Sequence, residues 1–211
     1  MSALAQWTIF AMPPREARFQ IPNARPTSIQ VVAALTSADW VHGFHNVTEM
    51  QFDGDLIYPP SQTWMAFDSM PRLVLAPGAG TKTVQAKIRN SSAVESDWMT
   101  STVDLSPSAE IVALDYQWNH PLDVRGNTPM LWTTSVDLAE WEIRIVASEN
   151  ATRDEASEPV AQGGTISAGD LVSTTLTTAD LIAASLPAGV VRSGSYTVRV
   201  FGRPAGSNDW I

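Results

Sequence analysis

The sequence predicts an all-β protein of two tandem β-sandwiches preceded by an extended N-terminal arm. Three observations lead to this prediction. Apolar stretches are short, rich in Val, Ile, Thr and Trp, and separated by clusters of Gly, Pro, Asn, Asp and Ser. A stretch of the first half recurs in the second half. The length, 211 residues, is enough for two domains of about 100 residues each.

The predicted arm covers residues 1–28. Its prolines and arginines are Pro13, Pro14, Pro22, Pro26, Arg15, Arg18 and Arg25. Because each proline fixes φ and removes a backbone donor, we expect an extended segment that is not a packed element.

Residues 29–105 form the first predicted sandwich. Thr83–Arg89 alternates polar and apolar residues, which is typical of a strand with one solvated and one buried face. The strands predicted in this half are Ile29–Leu35, Glu49–Phe52, Thr63–Phe67, Arg72–Leu75, Thr81–Arg89 and Trp98–Leu105.

Residues 106–211 form the second predicted sandwich. The stretch Leu105–Ala109 contains an X-Pro step among small polar residues, which suits a linker. The strands predicted after it are Glu110–Trp118, Met130–Ser135, Trp141–Ala147, Pro159–Ile166, Leu171–Leu176 and Tyr196–Phe201. Only Thr178–Ser185 suggests a helical turn.

An internal repeat connects the two halves. Thr83–Arg89 aligns without a gap with Thr197–Arg203, and an Asp-Trp pair follows each stretch after a polar loop, at Trp98 and at Trp210. The repeat indicates a duplicated β-domain of about 100 residues, which is the size of an immunoglobulin-like sandwich.

The first half resembles the immunoglobulin-like surface repeats of bacteria and phages. Gly80–Asn90 is similar to their "GTKTVxVxxRDxxGN" stretch. Glu49–Phe52, Trp64 and Leu75 lie where those repeats carry "MxxS", a Trp and a Leu before a turn. The resemblance covers Ile29–Leu105 and implies an immunoglobulin-like fold.

The second half resembles a fibronectin type III domain. Leu131–Thr133 is similar to the B strand of that family, Trp141–Ile145 to its C strand, Leu186–Gly189 to its "LxPG" turn, and Tyr196–Val200 to its F strand. The resemblance implies that the B-strand Trp fills the space between the sheets and that the Tyr ties its hydroxyl to the corner before strand F.

A last strand is expected in such domains, as Met99–Leu105 follows Trp98 in the first half. In the second half one residue, Ile211, follows Trp210. Either the sequence is a shortened chain or the second sandwich has an open sheet edge. Since open edges are tolerated where another chain covers them, we expect assembly contacts at this end.

The sequence predicts no catalytic, cofactor-binding or metal-binding residues. His42 and His45 are close, but His120 is remote, and zinc needs three or four protein ligands. Asp53–Asp55 lacks the further ligands of a calcium loop and is expected to form a hairpin turn. Gly78–Thr83 lies between strands and is expected to be a turn, not a phosphate loop. We predict a non-enzyme, although paired carboxylates distant in sequence leave a glycoside hydrolase open.

The eight tryptophans have two interpretations. We favour their use as anchors of the core or of interfaces, because the chain has no disulfide to stabilise it. The alternative is a sugar-stacking platform formed by Trp40, Trp64, Trp118 and Trp141. The sequence contains three N-glycosylation sequons, at Asn46, Asn90 and Asn150. They would be modified only if the protein entered a eukaryotic secretory pathway.

Composition and charge narrow the choice of partners. The 22 acidic and 13 basic residues give a net charge of −9, which disfavours nucleic acid and anionic membrane surfaces. The chain has no Cys, no run of 18 apolar residues and no recognisable signal peptide. We therefore expect no membrane insertion and no export by the general secretory route.

These features together predict a non-enzymatic structural protein of a bacteriophage virion. Sandwich repeats usually work outside cells, and virion proteins reach that location without a signal peptide because they are assembled in the host cytoplasm. We expect a head decoration or head fibre protein, or a tail accessory protein. Its arm would dock on the particle and its sandwiches would project, with capsid or tail proteins and copies of itself as partners, and host-surface glycans as a further one.

The alternative prediction is a bacterial carbohydrate-binding or adhesion module at the cell surface. In that case the tryptophan platform would stack on sugars.

Overall fold

The structure is a computed structural model that describes residues 12–23, 26–38, 47–114, 128–148, 150–177, 180 and 197–211. It is an all-β protein, and the chain divides into two compact units near Leu105. We call these units the first and the second sandwich.

The first sandwich consists of two antiparallel sheets. Its strands are β1 (Arg18–Gln20), β2 (Gln30–Val32), β3 (Ala34–Thr36), β4 (Val47–Gly54), β5 (Leu56–Tyr58), β6 (Met65–Ala66), β7 (Arg72–Leu75), β8 (Gly80–Asn90) and β9 (Met99–Leu105). One sheet has the order β6-β4-β8-β9. In the other, β1 pairs with β3, and β2 pairs with β7, which pairs with β5.

Strands β2 and β3 follow one continuous path beside the segment that leads into β7. The amides of Ala33 and Leu35 donate to the carbonyls of Pro71 and Ser69. The two sheets therefore have the A-B-E and C′-C-F-G strand arrangement of fibronectin type III and immunoglobulin-like sandwiches, with β5 added beside strand E.

The core of the first sandwich lies between these sheets. Apolar residues alternate along β8, and Val84, Ala86 and Ile88 are fully buried. They face the same core as Phe52 of β4 and Leu73 of β7. This alternation is the one that the sequence predicts for this stretch.

The described part of the predicted arm is extended, but the expectation that it does not pack is wrong. Strand β1 pairs with β3, and Phe19 and Ile21 are buried. The ring of Phe19 lies 5.9 Å from that of Phe52, and the amide of Ile21 donates to Ser101 Oγ. The prolines lie outside β1, so they do not interrupt its hydrogen bonds.

The predicted hairpin turn at Asp53–Asp55 is also corrected. Strand β4 belongs to one sheet and β5 to the other, so the chain crosses between sheets here. Gly54 has φ +105°, and a Cβ at this position would lie 2.3 Å from the carbonyl oxygen of Thr83. The crossing therefore requires glycine, both for its backbone conformation and for the close approach of β8.

The second sandwich repeats this arrangement. Its strands are β10 (Ile111–Ala113), β11 (Thr128–Thr134), β12 (Leu138–Val146), β13 (Ala161–Gly163), β14 (Val172–Leu176) and β15 (Thr197–Pro204). The sheets have the orders β10-β11-β14 and β13-β12-β15, which correspond to A-B-E and C′-C-F. Ile211 forms two backbone hydrogen bonds with Gly202 of β15.

Trp132 is the centre of the second core, as the sequence predicts. It is fully buried with Leu138, Ile143 and Ile145, and its ring packs edge-on against Trp141 at 5.4 Å. The predicted B, C and F strands correspond to β11, β12 and β15. The predicted turn at Leu186–Gly189, Tyr196 and most of Thr178–Ser185 lie outside the described residues.

The repeated stretches occupy the same place in the two sandwiches. Strand β8 pairs with β4, and β15 pairs with β12. The aligned arginines, Arg89 and Arg203, each lie opposite a glutamate of the partner strand and donate to it at 2.6 Å, to Glu49 and to Glu140. The repeat thus extends to a matching cross-strand ion pair.

Candidate interaction surfaces

The outer face of the β6-β4-β8-β9 sheet carries two cation–tryptophan contacts. The Arg89 guanidinium lies 4.3 Å from the ring centre of Trp64, and Lys87 Nζ lies 5.0 Å from that of Trp98. Trp98 is 37% exposed. We call this surface, with Glu49, the Trp64 face. Because a cation covers one side of each ring, a ligand has only the other side to stack on.

Carboxylates balance the cations of the Trp64 face. Arg89 Nε donates to Glu49 at 2.6 Å, and Lys87 Nζ contacts Glu95 at 2.7 Å. The hydrogen bond from Arg89 holds the pKa of Glu49 below its usual value. The surface is therefore charged but nearly neutral in sum, and it suits a polar neutral partner better than a polyanion.

The equivalent face of the second sandwich is covered by the chain. Residues after β12 form a 3₁₀ turn at Arg153–Glu155, and Val146, Ala151 and Phe201 pack together beneath this segment. Trp210 packs against them, with the Arg153 guanidinium 4.2 Å from its ring. This sheet face is thus occupied by the protein itself.

A cluster of three charged side chains is enclosed under this cover. Glu142 accepts from Arg144 Nε at 2.6 Å and from Arg153 at 2.8 and 2.9 Å. Arg144 also donates to the carbonyl of Ser157. We call Glu142, Arg144 and Arg153 the Glu142 cluster. Its carboxylate and Arg144 are mostly shielded from water, with side chains 12% and 9% exposed.

We expect the Glu142 cluster to make the second sandwich sensitive to acid. Burial alone raises the pKa of Glu142, but hydrogen bonds from Arg153 and Arg144 and their charges bring it below 4.5. A carboxyl group whose pKa is lower in the folded state stabilises the fold above its unfolded pKa, and this contribution disappears as pH falls through the folded pKa.

We expect the urea concentration at the midpoint of unfolding of the wild type to decrease as the pH is lowered below about 5. The comparison is between the wild type and Glu142→Gln, which cannot titrate at this position. The variant should be less stable at pH 7 and should lose less stability on acidification. Parallel pH profiles of the two proteins would contradict the assignment.

The structure places the remaining predicted site residues as follows. Asp53 accepts from Ser61, Gln62 and the Gly54 amide, and Asp55 accepts from the Thr83 amide, so both carboxylates serve the chain crossing. The part of the chain that is described contains no group of acidic or histidine residues that could hold a metal. Predicted residues outside the described part are Trp40, His42, His45, Asn46, Trp118 and His120.

Asn90, which belongs to a sequon, and Trp141, which belongs to the alternative sugar platform, both have structural roles. The Asn90 side chain is buried, accepts from the amides of Ser92 and Val94 and donates to the carbonyl of Met12. It is therefore a structural residue of the turn after β8. Trp141 packs on the core and on Gly163, where a Cβ would lie 2.5 Å from the indole. Of the four platform tryptophans, Trp64 is the one that the described residues place on an open face.

The shifted pKa values among the described residues all favour the charged state. Carboxyl groups have lowered values and arginines raised values, each with a hydrogen-bond partner in the protein. General acid–base catalysis uses the opposite shifts, a raised carboxyl or a lowered base. We therefore interpret these groups as structural ion pairs and capping residues.

Comparisons with known proteins find solved structures but no family model and no curated relative. The crystal structure of the FN1-FN3 domains of chicken CNTN1 matches at 11% identity and a TM-score of 0.31. The alignment covers 94% of this chain and 64% of that structure. The fold class stands on the strand order: the protein is an all-β protein of tandem immunoglobulin/fibronectin III-like sandwiches.

The described residues contain no helix of the length and apolarity that a membrane span requires.

Proposed function

We propose that the protein is a non-enzymatic structural component of a bacteriophage virion, either a head decoration or head fibre protein or a tail accessory protein. Its sandwiches serve as projecting modules that contact capsid or tail proteins and copies of the same chain. The proposal combines the sandwich architecture with a sequence that has no Cys and carries a net charge of −9.

The observation that best supports a structural role is that the charged side chains form ion pairs with one another within each sandwich. Each sandwich uses its ionisable residues to join neighbouring strands, as in Arg89 with Glu49 and Arg203 with Glu140. Buried charge in the Glu142 cluster is paired within the protein. Such an arrangement fixes a rigid scaffold and leaves its interactions to the surface.

The docking segment of this proposal is shorter than the predicted arm. Strand β1 and Ile21 belong to the first sandwich, so removing residues 1–28 would remove part of its sheet and core. Docking is accordingly assigned to the residues before Met12. A variant that lacks residues 2–11 retains β1 and is the suitable test.

Purified particles should contain the wild-type protein at a fixed ratio to the major capsid or tail protein, measured by mass spectrometry. The variant without residues 2–11 should be absent from particles, while its circular dichroism spectrum and thermal transition remain those of the wild type. Equal incorporation of the two proteins would refute docking by this segment. Absence of the wild type from purified particles would refute the virion assignment itself.

The partly exposed rings of the Trp64 face support one second candidate, a carbohydrate-binding or adhesion module. Trp64 and Trp98 lie on one open sheet face with polar neighbours, an arrangement that can stack on sugar rings. Binding on a glycan array that disappears in Trp64→Ala and persists in Trp141→Phe would favour this candidate over the virion protein.

A further inference from the structure

The Trp64 face and the covered face of the second sandwich occupy equivalent sheets but differ in polarity. Two residues along the strands from the matching ion pairs, the first sandwich has Gln51 opposite Lys87. At the same place the second sandwich has Glu142 opposite Phe201. Phe201 is buried, because the covering segment packs on it. In the second sandwich the polypeptide cover thus rests on an apolar side chain, and in the first sandwich a lysine takes the place of that side chain.

Polar side chains continue the Trp64 face along β8 and β9. Ala86 is fully buried, so Gln85 and Lys87 on either side of it lie on the outer face of the sheet. Gln85 Nε2 donates to Thr100 Oγ1 of the neighbouring strand at 3.4 Å. A hydrogen bond of this length is weak, so a ligand hydroxyl can replace it. The sheet next to Trp98 therefore offers an amide and a hydroxyl to a ligand.

Two partly exposed indole rings lie on the same face. Lys87 covers one side of the Trp98 ring, and Arg89 covers one side of the Trp64 ring. The opposite side of such a ring can stack on a flat apolar surface of a ligand. The C–H face of a sugar ring is such a surface, and the hydroxyls at its edge both donate and accept hydrogen bonds. The rings and the polar groups together suit a sugar.

The charges of the Trp64 face are balanced within the protein. Arg89 Nε donates to Glu49 at 2.6 Å, and Lys87 Nζ contacts Glu95 at 2.7 Å. An anionic ligand would compete with these two carboxylates for the cations, and it would approach a chain whose net charge is −9. The charge balance therefore favours an uncharged ligand.

We propose that the Trp64 face binds a neutral oligosaccharide. One sugar ring stacks on the side of Trp98 opposite Lys87, and its hydroxyls bond to Gln85 and Thr100. A polypeptide partner fits this face less well, since the centre of the face carries Lys87 where the covered face has an apolar ring. The inference rests on the second candidate under the proposed function, the carbohydrate-binding or adhesion module, and it names the class of ligand and the residues that bind it.

An array of matched glycans tests the class of ligand. Neutral chains of glucose, galactose, mannose or N-acetylglucosamine are printed beside the same chains that carry a sialic acid or a uronic acid. We expect the labelled full-length protein to bind a neutral chain at least as tightly as its acidic counterpart. In calorimetry with that neutral chain, raising NaCl from about 0.05 M to about 0.5 M should change the Kd by less than about twofold, because binding forms no new ion pair.

Substitutions test the residues. We expect Trp98→Ala to weaken binding of the neutral chain about tenfold or more, and Gln85→Ala to weaken it about threefold. The matched control is Val32→Ala, which truncates an exposed apolar side chain on the other sheet of the same sandwich and should leave the Kd unchanged. Thermal unfolding is recorded for each variant. If Trp98→Ala lowers the Tm, Gln85→Ala and Thr100→Val still test the site, because both change exposed or half-buried side chains outside the core.

Three outcomes would overturn the inference. Binding of acidic chains alone would refute a neutral ligand and leave the carbohydrate-binding candidate in place. Binding of a neutral chain that is unchanged in Trp98→Ala and Gln85→Ala would place the sugar on another surface. An array without any bound glycan would refute both the inference and the carbohydrate-binding candidate. The virion assignment is measured separately, by the content of purified particles.

Discussion

Replacing Glu142 by Gln is expected to lower the free energy of unfolding of the second sandwich by about 3–5 kcal/mol. Arg144 would keep its bond to the Ser157 carbonyl, and the carbonyl oxygen of Gln could still accept from one of the arginines, but the negative charge opposite Arg144 and Arg153 and the contacts to the second oxygen would be lost. A shielded guanidinium without an opposite charge is unfavourable in a region that water reaches poorly. Urea denaturation, with amide exchange of β12 as a local probe, measures the loss.

The matched control is Glu140→Gln on the same strand. Glu140 also accepts from an arginine at 2.6 Å, but its side chain is 44% exposed, against 12% for Glu142. Solvent screens this pair, so we expect a loss of about 0–1 kcal/mol. Similar losses for the two variants would contradict the view that burial, and not the ion pair as such, determines the effect.

Replacing Trp132 by Ala is expected to cost the second sandwich about 3–5 kcal/mol. The indole is fully buried between the sheets, where it meets Trp141 and the residues around Ile143. Removing it leaves a cavity that the two sheets cannot close without moving, because each is held by its own strand pairing. Thermal unfolding by calorimetry should show the loss in the transition of the second sandwich and not in that of the first.

Trp132→Phe separates ring packing from hydrogen bonding. The buried Nε1 of Trp132 has no hydrogen-bond partner among the residues that the structure describes. Phenylalanine therefore removes volume without breaking a polar contact, and we expect a smaller loss than for alanine. A Phe variant as unstable as the Ala variant would mean that the indole contributes more than its volume.

Strand patterns with clear alternation were predictable from the sequence. Thr81–Arg89 lies in β8, because apolar residues at every second position specify a half-buried strand whatever its neighbours. Arg72–Leu75 lies in β7, where three consecutive apolar residues form a short buried strand. The repeat at Thr83 and Thr197 correctly indicated two units of similar topology. The core position of the B-strand tryptophan was implied by the resemblance to a fibronectin type III domain and not by the alternation of residues.

Other features depend on contacts that a local pattern does not contain. Strand β1 was missed because prolines on both sides of Phe19 outweighed its short apolar pattern. Strand β5 was missed because Asp53–Asp55 has the composition of a hairpin turn, and only the position of the second sheet decides that the chain crosses. Trp98 does not anchor the core, since it lies beside Lys87 on an outer sheet face at 37% exposure, and its use at an interface stays a prediction.

The Glu142 cluster had no signature in the sequence. Glu142 and Arg144 are two apart on a strand that reads as an alternating amphipathic segment, for which a solvated outer face is the simplest interpretation. Their burial comes from Arg153 and the segment around it, which folds back over the sheet. The pairing of Glu142 with an arginine eleven residues later was not encoded in any short motif.

The segment that covers the Glu142 cluster makes the equivalent sheet faces of the two sandwiches different. Both retain the arginine of strand F and its glutamate on strand C, yet one copy leaves this sheet face open around Trp64 and the other closes it with Arg153 and Trp210. Substitutions on the open face would leave the core packing unchanged, whereas substitutions on the closed face would disturb the packing of Val146, Ala151 and Phe201. Homologues should therefore vary in different ways at these two equivalent faces.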